Sequence, residues 1–175
     1  MLVLIKGAGD LATGAAVRLY RAGIPVVMTE VAQPTAVRRT VAFSQCMYDG
    51  SAQVEGISAR RAEDAGAARR ALERGEVPVL CDPAAAILGE LPFDGVVDAI
   101  LAKRNLGTAI TDAPVVLALG PGFTAGVDCH GVVETMRGHN LGRLLTQGSA
   151  APNTGVPGDV GGYTTQRIIR APADG

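Results

Sequence analysis

The chain has 175 residues, enough for one domain with a substantial core, or one domain with a small appendage. It is 47% hydrophobic but only 3% aromatic and lacks tryptophan, so its core is aliphatic and alanine-rich. Sixteen basic against 17 acidic side chains give a net charge of −1, which leaves no polyanion footprint and excludes nucleic acid as the expected partner.

In chain order, the first apolar run is Leu2 to Ile5, which enters a turn at Gly7-Ala8-Gly9. A helical stretch from about Leu11 to Ala22 follows and ends at Gly23; a second apolar run, Ile24 to Met28, stops at Thr29-Glu30. This is the order of a βαβ nucleotide-binding unit. Gly7 permits the tight turn, Gly9 lets a pyrophosphate approach the backbone, and Ala12 is the third small residue of the G-x-G-x-x-G/A pattern. Gly14 costs about 1 kcal/mol against alanine inside a helix, which close packing would explain. The expected phosphate contacts are therefore Gly7, Ala8, Gly9, Asp10, Leu11 and Ala12, with Glu30 placed to hold ribose hydroxyls. A plain βαβ crossover without a ligand is the alternative. Asp10 either caps the helix or repels a diphosphate. Arg38 and Arg39 read equally as a grip for a phosphate, such as a 2′-phosphate, or as a solvated basic face.

Gln33-Pro34 marks a turn, and Thr35 is placed to cap a helix through Arg39 to about Met47. Gln53 to Ser58 reads as a short strand, and Ala62 to Arg74 as a helix with acids early, arginines late and Gly75 behind it. Three further apolar strands, Val77 to Cys81, Val96 to Leu101 and Val115 to Leu119, end in polar or glycine-rich loops. That pattern fits a parallel sheet with ligands beyond its carboxyl ends. After Val96 to Leu101 come Lys103, Arg104 and Asn105, with Asp98 just before them: a grip for phosphate or carboxylate, or a solvated loop.

Past residue 120 helical periodicity fades, and short β-like runs occur at Gly131 to Thr135, Arg143 to Thr146 and Tyr163 to Arg170. The expected fold is thus α/β: a Rossmann-like, mostly parallel sheet over residues 1–120, with a β-rich C-terminal extension, 121–175, packed on it. A second glycine loop, with Gly120 and Gly122 as ligand contacts, leads to Asp128, Cys129 and His130, the catalytic candidates. Adjacent side chains do not converge on one ion, so no metal is expected there; a thiol activated by the imidazole competes with a structural thiol. Pro152 to Gly158 is a rigid turn first and a second ligand clamp only by extension. Cys46, Cys81 and Cys129 are odd in number and widely spaced, which favours reduced thiols in the cytoplasm. A first strand at residue 2 leaves no room for a signal peptide, and no apolar run is long enough to span a membrane. The strand running into Ala171 to Gly175 looks like the start of a linker.

The segments IKGAGDLATG, VVMTEVAQPTAVRRTVAF, VDAILAKRN, TDAPVVLALGPGFTAGVDCH, VETMRGHNLGR and PNTGVPG together resemble the YqeB-like accessory proteins of selenium-dependent molybdenum hydroxylases. The resemblance covers nearly the whole chain. It implies a role in maturing such a hydroxylase, by cofactor insertion or selenium/sulfur loading, with the hydroxylase as partner. It also implies a small β domain beyond residue 175. The ligand would be a phosphate-bearing small molecule, either the molybdenum cofactor with its pterin or NAD(P). Whether a reaction is catalysed stays open. The alternatives are an NAD(P)-dependent oxidoreductase of a small substrate, for which no proton relay is evident in the sequence, and a non-catalytic scaffold. A homodimer is compatible with each.

Overall fold

Parallel strands bury both faces and therefore read as continuous apolar runs. The five such runs become β1 (Val3–Lys6), β2 (Val26–Glu30), β5 (Val77–Cys81), β6 (Gly95–Asp98) and β7 (Val115–Leu119) of one sheet. The computed structural model describes residues 1–169 and 172. A hairpin, β3 (Ser51–Val54) and β4 (Ile57–Ala62), adds one edge, and β8 (Gly131–Val133) and β9 (Leu144–Leu145) add the other. The order is β3-β4-β5-β2-β1-β6-β7-β8-β9. Only β3–β4 and β8–β9 pair antiparallel. Without the hairpin and β9, the order of the parallel strands is the 3-2-1-4-5-6 of a doubly wound dinucleotide fold. The mostly parallel Rossmann-like sheet read from the sequence is the one the structure has.

Helix α1 (Asp10–Arg21) packs on one face, with Ala12, Ala16 and Val17 against Ile5, Val26 and Met28. On the opposite face, α3 (Ala65–Glu73) packs Ala65 and Ala68 near Leu4, Val27 and Leu80. Right-handed connections that step in opposite directions along the sheet must use opposite faces, and β4 to β5 and β6 to β7 to β8 step opposite to β1 to β2. The β7–β8 connection accordingly places Phe123, Ala125 and Cys129 on the α3 side. Neither it nor the β6–β7 connection contains an α-helix.

Three expectations need correction. The helix from Thr35 to Met47 is broken into two 3-10 turns, Arg39–Val41 and Phe43–Gln45, and a single turn, α2 (Cys46–Asp49). Ala42 between the 3-10 turns is extended because the next two amides are committed elsewhere: Phe43 N donates to Thr13 Oγ1 and Ser44 N to the Ala8 carbonyl. The single strand at Gln53 to Ser58 is a hairpin, turned at Glu55 and Gly56, both with positive φ, as a two-residue hairpin turn requires. Past residue 120 the β structure is not outside the sheet: β8 pairs parallel with β7 and fills the last position of the 3-2-1-4-5-6 order. Within Tyr163 to Arg170, Tyr163 only bridges to Val160 and a 3-10 turn follows at Thr165–Arg167; Arg170 and most of the expected linker lie outside the described residues. Among the described residues no helix is long and apolar enough to cross a membrane.

Candidate functional site

The direction in which successive strands are added to the sheet reverses between β1 and β6, and in such sheets ligands lie beyond the carboxyl ends at that reversal. The Gly7–Gly9 turn sits there. Gly7 has φ +94°, and a Cβ on it would fall 2.9 Å from the Ala99 carbonyl oxygen, so both its conformation and the close approach of the β6 loop demand glycine. Gly9 differs. Its φ of −65° and ψ of −177° suit any residue, and a Cβ there would meet nothing within 4 Å. Neither backbone nor packing explains Gly9.

The turn between them is rigidly held. Ala8 N donates to Glu30 Oε2 at 2.9 Å, and the Ala8 carbonyl accepts from Ser44 N at 2.8 Å and from Thr13 Oγ1 at 3.2 Å. Thr13 is 1% exposed and also receives Phe43 N. Asp10 Oδ1 accepts from Leu11 N, which leaves the amides of Gly9, Asp10 and Ala12 without an acceptor among the described residues, at the positive end of α1. Of the six residues expected to meet a phosphate, Ala8 and Leu11 have their amides occupied by carboxylates. Glu30 uses its carboxylate to fasten the turn, its Oε1 accepting from Val31 N at 2.8 Å.

Arg38 reaches back to form an ion pair with Asp10, so the acid at the mouth is neutralised. Arg39 instead lies over the Tyr48 ring, 4.8 Å from its centroid, and donates to Gln45 Oε1. Two depressions adjoin the turn. One of about 70 Å³ lies between Gly7, Glu30, Pro83, Ile100 and Leu106. A groove of about 530 Å³ runs from Asp10 and Arg38 along α1, past Gly14 and Arg18, to Arg21.

The structure adds residues that were not singled out from the sequence. Lys6, 4% exposed, donates from Nζ to Thr108 Oγ1 at 2.6 Å, and Thr108 donates to Asp98 Oδ2 at 2.6 Å. This buried chain joins β1 to β6 at the reversal point. A lysine inside an apolar strand, directly before a glycine turn, was its visible signal; Thr108 had none. Asn105 spends its amide within its own loop: its Oδ1 accepts from Gly107 N and Thr108 N, and its Nδ2 donates to the Thr108 carbonyl. It fixes Thr108. Lys103 and Arg104 are exposed, on the β7 side of the loop, where Gly122 packs so closely that a Cβ would fall 2.6 Å from Arg104 backbone atoms. Gly120 is similarly pressed to Thr135 Oγ1. These two glycines serve loop packing. Leu101 and Lys103 adopt φ of +61° and +64°, which costs roughly 1–2 kcal/mol for each non-glycine residue.

Asp128, Cys129 and His130 do not form a relay. Asp128 Oδ2 accepts from Thr124 N, and His130 Nδ1 accepts from Val116 N, so one oxygen of the acid and one ring nitrogen are committed to backbone amides. Cys129 is fully buried, and desolvation pushes its thiol above the ordinary value, against thiolate chemistry. No group of three His, Cys, Asp or Glu among the described residues could hold a metal ion.

Fold and turn together define a Rossmann-like α/β protein with a pre-formed glycine turn at its switch point. No family model and no solved structure matches the chain. Among curated proteins it is similar to one from Escherichia coli (strain K12), "Uncharacterized protein YqeB", with 58% identity over 174 residues. The match covers 99% of this chain and 32% of that protein, so the similarity runs along nearly the whole chain, which spans about a third of the relative's length.

Proposed function

We propose that this chain is the nucleotide- or pterin-phosphate-binding part of an accessory protein that matures a selenium-dependent molybdenum hydroxylase. One observation carries the binding: Gly9 lacks a side chain where the protein itself would accept one, beside three amides with no acceptor among the described residues. A ligand phosphate on those amides gives both features a reason. The arrangement is pre-organised, because Glu30, Thr13 and Ser44 fix the turn before a ligand arrives. Neutralising Asp10 with Arg38 removes the repulsion a diphosphate would meet. The pathway rests on the motif resemblance and on the YqeB-like sequence.

The oxidoreductase reading has one observation in its favour, the Lys6–Thr108–Asp98 chain, which is a hydrogen-bonded lysine relay beneath the switch point. Its three members are all under 5% exposed, which suits a clip between strands better than proton exchange with a substrate. The experiment that separates the readings is deletion of the gene in a host that makes the hydroxylase. Under the maturation role the hydroxylase polypeptide accumulates inactive, with low molybdenum or selenium content, while unrelated molybdoenzymes stay active. Normal metal and selenium loading would overturn that role.

A further inference from the structure

The loop after β6 and the segment after β9 meet on the β7–β8 side of the sheet's carboxyl ends, and none of the residues lining their junction belongs to the Gly9 turn. Between them lies a cleft of about 170 Å³, walled by Lys103, Pro121, Thr135, Met136, Asn153 and Thr154. We propose that this cleft is a second ligand site, for a small oxyanion, either free or as the terminal phosphate or carboxylate of a larger molecule. The proposal stands independently of the Gly9 turn.

Its walls are built. Glu134, 6% exposed, accepts from Ala151 N at 2.8 Å and Met136 N at 2.7 Å, and so ties the Pro152–Thr154 wall to the end of β8. Gly122 presses on the backbone of Lys103 and Arg104, and Gly120 on Thr135. Lys103 is held with φ +64°, a conformation that disfavours any side chain, yet a lysine stands there and not a glycine. Its ammonium has no carboxylate within 4 Å among the described residues. Thr135 supplies a hydroxyl and Asn153 an amide; among the described residues no Asp or Glu lines the cleft, and the Glu134 carboxylate next to Thr135 accepts from backbone amides. One cation, two neutral donors and apolar walls select an anion. The volume is too small for a nucleotide, whose sites run to several hundred Å³, and suits a single oxyanion group.

The test uses the strain at Lys103. Lys103→Gly removes the cation and relieves the left-handed backbone together, so the variant should melt no lower than the parent. Inorganic phosphate and a nucleoside monophosphate are titrated calorimetrically into Gly9→Val, which removes the other anion-binding turn, and into the double variant Gly9→Val/Lys103→Gly. The expected result is phosphate binding in Gly9→Val, weakened at least tenfold in the double variant. Tighter binding of the monophosphate, also lost in the double variant, would identify the terminal phosphate of a larger ligand as the source. No phosphate binding in Gly9→Val, or unchanged affinity in the double variant, would overturn the proposal. Neither outcome touches the reading of Gly9, which is tested by comparing the parent with Gly9→Val.

Discussion

At the scale of single residues, two glycines two positions apart do different work. Gly7 answers to the protein, because its φ and the Ala99 carbonyl leave no room for a side chain. Gly9 answers to what binds. Gly9→Val should therefore keep the fold, with an unchanged circular dichroism spectrum, and lose nucleotide binding. Thr13 is the opposite case, a buried hydroxyl that bridges the Ala8 carbonyl and Phe43 N. Thr13→Val strands a buried amide and should cost about 1–3 kcal/mol in chemical denaturation. The thiols sort by burial as well. Desolvation pushes Cys46 up to about 12 and raises Cys129, and both are buried, whereas Cys81 is exposed. A thiol reagent under native conditions should label Cys81 alone, and label the other two only after unfolding. Rapid native labelling of Cys129 would revive a reactive thiol there.

At the scale of elements, local chemistry predicted α3 closely, since its signals are local. Asp64 caps it by accepting from Ala67 N at 2.6 Å, and Gly75 follows with φ +71°. Asp64→Ala should cost about 1 kcal/mol. The predicted start at Ala62 was early because Ala62 completes β4, opposite Leu80 of β5. The stretch from Thr35 to Met47 was illegible for the converse reason. Its backbone donors bond to Ala8 and Thr13, some thirty residues away, and no periodicity encodes that. The anchoring of the segment after β9 is likewise long-range, through Glu134. Backbone N–H groups of Ala151 and Met136 hold the Glu134 carboxyl below its usual value. A carboxyl whose folded pKa lies below its unfolded one contributes its full stabilisation above the unfolded value, and loses it as pH falls toward the folded one. Stability should thus decline on acidification through the ordinary carboxylate range, and Glu134→Gln should flatten that part of the stability–pH curve while lowering stability at neutral pH.

At the scale of the whole molecule, the parallel strands were readable because burial on both faces leaves long apolar runs, and the βαβ order of the first thirty residues fixed the switch point. The right-hand side was harder to read. β8 has three residues and β9 two, too short for a period-two signal, and the connections on that side form no α-helix. What the sequence presented as an extension is in part the sheet itself. Phe123, Ala125, Cys129 and Val132 are buried beside Leu4, Val96 and Val116. A chain ending at Gly120 would lose all four and expose the β7 edge, so it should give a broad, low-temperature melt where the longer chain unfolds cooperatively.

The candidate site was legible in the turn and not in its surroundings. Gly7, Gly9 and Glu30 follow a known spacing, whereas Lys6, Thr108 and Ser44 reach the site only through the fold. The central claim is that the Gly9 turn holds a phosphate-bearing small molecule. The most direct measurement is mass spectrometry of the small molecules released on denaturing the natively purified protein and its Gly9→Val variant. The account predicts a nucleotide or phosphorylated pterin, near stoichiometric in the parent and absent from the variant. A parent that releases no phosphate-bearing molecule, or a variant that releases as much as the parent, would contradict it.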